Sequence, residues 1–364
     1  MKNEKIFKSI INIKNLEIGE GKRTIFIAEI ASNFDGDLSR AKDLIFAAKE
    51  AGADVAKFQH YSAETLVSDY GFKNLKINNS HQKFWKKSVF QTYKKASLSP
   101  NWTLELYEAC KKAKIIFMTS PYSIELVNYV DRFVPAFKIG SGDITWHEEI
   151  EYIAKKKKPV LLATGASSLD EVIAAVNIIS KHNKKLVLMQ CNTNYTNSIQ
   201  NLNYLNLKTL RTFKSIFPGI ITGLSDHTQN DQVVLAAVAL GAKVIERHFT
   251  DSTSREGPDH SFSTDVVSWK KMISKVRDLE IMLGDGIKRL ENNEKETVLV
   301  QRRALYAKIN IKRGQKIMRK HLIPLRPHLP TKSIPANAIK DIIGKIAKKT
   351  ILAGKFLTKN SFSE

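Results

Sequence analysis

Short runs of consecutive apolar residues alternate along the chain with longer segments whose apolar positions recur every three or four residues. The runs predict strands at 24–30, 54–59, 115–120, 136–140, 159–164, 185–191, 219–223 and 243–248. The longer segments, among them 38–51, 102–112, 168–182 and 231–240, predict helices between them. Runs that are apolar throughout belong to strands buried on both faces. A strand–helix–strand unit pairs its strands in parallel. Eight such units in about 250 residues predict an α/β protein with a (β/α)8 TIM barrel. A doubly wound open sheet is the alternative, and it often carries a glycine-rich first turn. The first turn here, Glu29-Ile30-Ala31-Ser32-Asn33-Phe34-Asp35-Gly36, has no G-x-G-x-x-G, which favours the barrel.

The alternation stops at a charged segment, 288–297. The chain therefore divides into a barrel over 1–290, a linker over 291–300 and a small module over 301–364. The module holds a faint repeat. Residues 309–317 resemble 348–356, each with a glycine turn between two β-like stretches, and helical starts follow at 318–322 and 358–362. So small a unit is expected to lean on something else for stability. The connection 61–99 is long for a βα loop and contains His81 and Trp85. Long loops at the catalytic face shape or gate a site, although a packed helix there is an equal reading. Trp146-His147, after the fourth strand, is open between surface and a supporting role.

With 43% hydrophobic residues in 364, the chain can bury one large barrel plus a module. Its net charge of +22 raises the question of a nucleic-acid or membrane-surface partner. The lysines are dispersed, however, and aromatic interleaving is absent, so a solvated basic face is the better reading and no nucleic-acid partner is expected. Two cysteines, Cys110 and Cys191, make no disulfide framework and suit a reducing cytoplasm. Residues 1–20 alternate charged and apolar positions, unlike a signal peptide, and no apolar run approaches the roughly 20 residues that span a bilayer.

In a barrel of this kind reactive residues cluster just after the strands. They do here: Glu29, Asn33 and Asp35; Lys57 and Gln59; Thr119-Ser120-Pro121; Lys138-Ile139-Gly140-Ser141-Gly142-Asp143; Thr164-Gly165; Cys191-Asn192-Thr193-Asn194-Tyr195. The last two strands end in Gly223-Leu224-Ser225-Asp226-His227-Thr228 and Glu246-Arg247-His248-Phe249-Thr250. Two imidazoles at adjacent parallel strand ends form a ready pair of metal ligands. A lone histidine there reads as a structural cap; the pair, flanked by charges unsuited to a core, reads as functional. Lysines inside apolar strands need a polar cavity or a counter-charge, so Lys57 and Lys138 point to an anionic substrate. Gly140, Gly142 and Gly165 would let backbone amides approach a phosphate.

The ordered set Glu29…Asn33…Gly36, Lys57-Phe58-Gln59, Lys138 to Asp143, Gly223 to Thr228, Glu246 to Thr250 and Gly257-Pro258-Asp259 resembles the sialic acid synthase family. The resemblance runs from about Ile25 to Phe362. It implies a TIM barrel followed by an antifreeze-like β-clip (SAF) domain, in a domain-swapped homodimer. It implies condensation of phosphoenolpyruvate with an N-acylated mannosamine-type sugar to a nine-carbon 2-keto acid, with phosphate released. An N-acetylneuraminate synthase is the first expectation, and a legionaminate or pseudaminate synthase the alternative. By the resemblance His227 and His248 bind a divalent metal, manganese first, with magnesium or cobalt as alternatives. Lys57, Ser120, Lys138, Ser141 and Ser225 hold phosphoenolpyruvate, with Gln59 and Thr193 also on the substrate side. Glu29, Asp143, Tyr195 and Asp259 face the sugar, and Arg326 reaches the partner's acyl-sugar site. The chain departs from the family pattern at Phe34, Asp143, Ala163, Thr196 and in Arg326-Pro327-His328-Leu329-Pro330, changes that bear on the sugar.

The residue types suit that chemistry. A carboxylate and a phosphate call for ammonium and hydroxyl donors. A metal on two histidines would polarise the sugar aldehyde. Glu29 is the first choice for the acid/base group, with Asp143 and Asp259 as rivals. Two other classes compete: a Schiff-base aldolase using Lys138 or Lys57, and a polyanion-binding protein.

Overall fold

The computed structural model describes residues 6–75, 82, 85–196 and 198–363. It separates into two compact units, Met1–Gly284 and Asp285–Glu364. The first unit opens with an antiparallel hairpin, β1 (Ile10–Ile13) and β2 (Leu16–Gly19). Eight parallel strands follow: β3 (Ile25–Glu29), β4 (Val55–His60), β5 (Ile116–Pro121), β6 (Phe137–Ile139), β7 (Val160–Ala163), β8 (Leu186–Cys191), β9 (Ile221–Asp226) and β10 (Ala242–His248). The ladder runs β5-β4-β3-β10-β9-β8-β7-β6, so the first barrel strand pairs with the last. This is the expected (β/α)8 barrel. All eight predicted strands are present. The seventh lies later than its apolar run, because Ser225 and Asp226 continue its ladder with β10.

Residue parity along the strands sorts the core into two layers. Ile25 and Ile27 of β3 point into the barrel, together with Val55, Met118, Leu161, Val187, Met189, Ile221 and Val244. Phe26, Ala28, Phe58, Phe117, Phe137 and Ile245 point outward, under the helices. Side chains alternate faces at every residue of a strand, so the inner set continues upward along each strand by steps of two. Gly223 leaves no room for a side chain in the interior: a Cβ there would come within 2.8 Å of the Val244 carbonyl oxygen.

The hairpin was not anticipated from the alternating pattern of residues 1–20. It plugs the barrel floor. Ile11, Ile13 and Ile18 join the inner apolar layer, and Ile18 is fully buried. The helices start where local chemistry predicts. Asp37 caps Leu38–Glu50, Asn230 caps Asp231–Ala239, and Ser168 with Glu171 forms a capping box for Leu169–His182. The long 61–99 connection contains helices Ala63–Leu66, Asp69–Asn74 and Val89–Ala96.

The second unit contains a short helix, Lys295–Gln301, and pairs β11 (Ala304–Ala307) antiparallel with β12 (Leu322–Leu325). It has its own core around Leu305, Ile311, Ile317, Leu322, Ile351 and Leu357. The internal repeat is real. Ile311 bridges Ile351, and Gly314 and Gly354 take left-handed φ of 78° and 80° at equivalent turns. Arg326 follows β12 and is exposed. Among the described residues no helix is long and apolar enough to cross a membrane.

Candidate active site

The inward parity that fills the barrel with aliphatic side chains delivers polar ones at its C-terminal end. Glu29 follows Ile25 and Ile27; Lys57 and Gln59 follow Val55; Ser120 follows Met118. Lys138, Cys191, Ser225 and the pair Glu246 and His248 complete the rim from β6, β8, β9 and β10. These residues, with Ser141, Thr193, Tyr195 and His227 from the loops above, line a small cavity of about 110 Å³.

Its floor is a buried charge cluster. Lys57 pairs with Glu29, lies 3.5 Å from Glu246 Oε1 and is 3.2 Å from Ser120 Oγ. Lys138 pairs with the same Glu246 oxygen at 3.1 Å. Burial opposes ionisation of Glu246, but Lys138 and Lys57 outweigh it and hold the carboxyl below its ordinary range. Burial pushes the Lys57 ammonium down to about 7, against the pull of Glu246. Glu246 Oε2 is buried with no hydrogen-bond partner among the described residues. Glu29 also accepts from the Ala31 amide at 2.9 Å. Gly165 brings its amide to Ser141 Oγ at 2.9 Å, and a Cβ there would sit 2.5 Å from the Thr193 side chain.

The His227 and His248 rings lie with centroids 5.5 Å apart, and Tyr195 packs 4.2 Å from the His227 ring. His227 Nδ1 donates to the Asn192 carbonyl at 2.8 Å. That bond fixes the tautomer and leaves Nε2 as the free lone pair. Among the described residues no third His, Cys, Asp or Glu joins the two histidines as a ligand group. The flanking charges have a different purpose. Asp226 and Arg247 face outward, away from the cavity, and pair with each other at 2.5 Å while fully buried.

A second cavity of about 410 Å³ adjoins the first through Gln59, Tyr122, Gly142, Tyr195 and His248. Asp143 and Asp259 line it, and Glu29 does not. Burial raises the Asp143 carboxyl to about 6, with Lys138 pulling the other way. Burial also raises Asp259, whose Oδ2 accepts from the Ser32 amide at 3.0 Å. Behind Asp143 the buried Glu149 is pushed up to about 8 by burial and by Asp143 itself. The outer wall comes from the long loop: Leu66, Val67, Phe72, Trp85 and Ala96. Trp85 thus lies at the cavity as anticipated, His81 lies outside the described residues, and His147 is exposed at a helix start.

The structure gathers every candidate site residue of the barrel into these two cavities, and Arg326 belongs to the second unit. Sequence reasoning missed Glu246 and Tyr122. Strand parity was the signal for the first, since Glu246 lies midway between inward Val244 and His248.

The chain matches the NeuB family over residues 44–288 and the SAF domain over 302–363. It is 35% identical to the N,N'-diacetyllegionaminic acid synthase of Campylobacter jejuni, over 90% of this chain and 97% of that one. It is 30% identical to the N-acetylneuraminate-9-phosphate synthase of Homo sapiens, over 92% and 91%. Among solved structures, the N-acetylneuraminic acid (sialic acid) synthetase of Leptospira borgpetersenii superposes with a TM-score of 0.70 at 27% identity, over 80% of this chain and 96% of that one.

Proposed function

Since this chain belongs to the NeuB family, whose named relatives here are sialic-type synthases, we propose that it joins phosphoenolpyruvate to the open-chain aldehyde of an N-acylated mannosamine-type sugar, giving a nine-carbon 2-keto acid and phosphate. The observation that carries this reading is the buried Glu29–Lys57–Glu246–Lys138 cluster that lines the smaller cavity. A trianionic substrate supplies the negative charge that two closely spaced ammoniums can share, and the flanking hydroxyls of Ser120, Ser141 and Ser225 can donate to it. The larger cavity, with its aspartates, takes the sugar.

His227 and His248 would hold a divalent metal, manganese first, with the Asn192 carbonyl orienting the His227 ring. When bound there, the metal supplies Lewis-acid polarisation of the aldehyde oxygen. The chain's own residues do the rest. Lys57 and Lys138 neutralise the carboxylate and phosphate of phosphoenolpyruvate as its enol carbon attacks. A water then adds at C2, and the tetrahedral intermediate expels phosphate. Asp143, raised to about 6, is poised to exchange a proton near neutral pH. Glu29 is ion-paired with Lys57, so it suits orientation of that lysine better than proton transfer. The active assembly is a homodimer in the cytoplasm, with Arg326 of the partner subunit donating to the N-acyl carbonyl. A Schiff-base aldolase is the weaker reading, because both barrel lysines are tied to carboxylates.

The test is phosphate release from phosphoenolpyruvate, with manganese, over a panel of N-acyl sugars. Release that depends on both substrates supports the proposal. Borohydride trapping of pyruvate on Lys57 or Lys138, without sugar-dependent phosphate release, overturns it.

A further inference from the structure

Asp35 follows the first barrel strand, among the reactive groups, yet its carboxylate lines neither the smaller nor the larger cavity. Its partners Arg255 and His260 lie across the seam where β3 meets β10 and the barrel closes. His260 Nε2 donates to Asp35 Oδ1 at 2.9 Å, and Arg255 and Arg40 hold Oδ2 at 2.9 and 3.2 Å. The Asp35 backbone takes a left-handed φ of 54°, a conformation that residues other than glycine seldom adopt. His260 is fully buried, and its second ring nitrogen lies 2.8 Å from Thr250 Oγ1. Both ring nitrogens are thus engaged inside the protein, and the imidazole is a fixed strut between the two loops. The space beside the ring is closed as well: a Cβ on Gly257 would come within 2.6 Å of His260 Cδ2.

The short turn that His260 opens, His260–Phe262, carries parts of the site at both ends. Asp259 immediately precedes it and lines the larger cavity. Phe262 closes it and packs its ring 4.8 Å from that of His248 and 5.1 Å from that of Tyr195. Just beyond, Ser263 Oγ accepts from the Asn33 side chain at 2.9 Å. A carboxylate on a loop keeps a productive geometry only when the groups behind it lock that loop. We propose that Asp35 and His260 form a latch, a positioning pair that holds the turn against the first βα loop and so sets where the Asp259 carboxylate meets the acceptor sugar. The latch stands on the geometry; its effect on the sugar rests on the proposed function, in which the larger cavity takes the sugar. Both residues act through Asp259.

The test uses the full chain and three variants. His260→Asn keeps a polar group beside Thr250 but falls short of Asp35. His260→Gln can still reach Asp35. Gly257→Ala leaves every hydrogen-bonding group in place and crowds the ring, so it carries the same comparison where His260→Asn does not fold. A misplacement of about 1 Å can cost about 100-fold. In His260→Asn and Gly257→Ala, KM for the acceptor sugar that the parent uses should therefore rise at least about 10-fold. KM for phosphoenolpyruvate should stay within about 2-fold, and His260→Gln should recover part of the loss. A variant that is only less stable would lower the active fraction, and with it kcat, and leave both Michaelis constants alone. Hydrogen exchange, read without substrates, should quicken at the amides of 251–263 in His260→Asn and Gly257→Ala. Unchanged exchange in that segment overturns the latch. Faster exchange with an unchanged sugar KM, or with both Michaelis constants raised together, overturns its role toward the sugar. A parent without sugar-dependent phosphate release overturns the proposed function and that role with it, and the exchange result still decides the latch.

Discussion

Lys138 on β6 and Glu246 on β10 meet across the barrel mouth, the ammonium 3.1 Å from Oε1, although the two strands are not neighbours in the ladder. The same oxygen lies 3.5 Å from Lys57. One carboxylate therefore holds two buried cations that would otherwise repel each other. Removing one partner of a buried ion pair leaves a desolvated charge and costs about 3–5 kcal/mol. Glu246→Gln should lower stability by that order in urea or guanidinium unfolding, and added phosphoenolpyruvate should restore part of it. An unchanged unfolding midpoint would show that the two lysines do not depend on Glu246.

Asp143 should report its burial through pH. Its folded-state pKa of about 6 lies above the ordinary value of 3.8. The folded protein therefore binds this proton more tightly than the unfolded chain, and the carboxyl costs stability at pH 8, a cost that shrinks as pH falls from about 6 toward 4. Lys138 and Glu149, the charged and titratable groups beside it, remain in place in Asp143→Asn. That variant should be more stable than the parent at pH 8 by roughly 1–3 kcal/mol, with the gap closing near pH 4. A gap that is absent or independent of pH would remove Asp143 as a perturbed carboxyl.

The histidine pair makes a separate demand. Chelation should abolish turnover, and manganese should restore it. His227→Ala and His248→Ala should each lower kcat/KM by about 10³-fold, near 4 kcal/mol. Full activity in strong chelator, from protein that contains no metal, would exclude the metal.

Arg326 tests the assembly. Arg326→Ala and His248→Ala subunits, each inactive alone, should regain activity when mixed and allowed to exchange, because one of the two sites in each mixed dimer is then intact. Mixed dimers that stay inactive despite demonstrated exchange, or a fully active monomer, would exclude a shared site.

The floor plug predicts a purely structural effect. Ile18 is fully buried inside the barrel. Ile18→Ala should lower stability by roughly 2–5 kcal/mol in denaturant titration. A loss of 0.5 kcal/mol or less would mean that the hairpin is dispensable to the barrel.

Sequence alone determined the class of the fold and most of the residues that gather at the rim of the barrel, Glu246 and Tyr122 excepted. Both follow from local rules. Strands buried on both faces must be apolar throughout, and residues at their C-terminal ends must meet at one rim. Lys57, Lys138, His227 and His248 stood out because charged or imidazole groups at the ends of such strands need a partner or a ligand. Tertiary structure decided three things. The hairpin β1–β2 reads as an unremarkable alternation until the open floor of the barrel gives its isoleucines a place to be buried. Asp226 and Arg247 seemed to mark function through their charge, yet they compensate each other on the outer face. Glu246 gained its importance only when the curled sheet brought β6 and β4 lysines to one oxygen. Each of these depends on residues far apart in the chain, and closure of the barrel is the step that sets their distances.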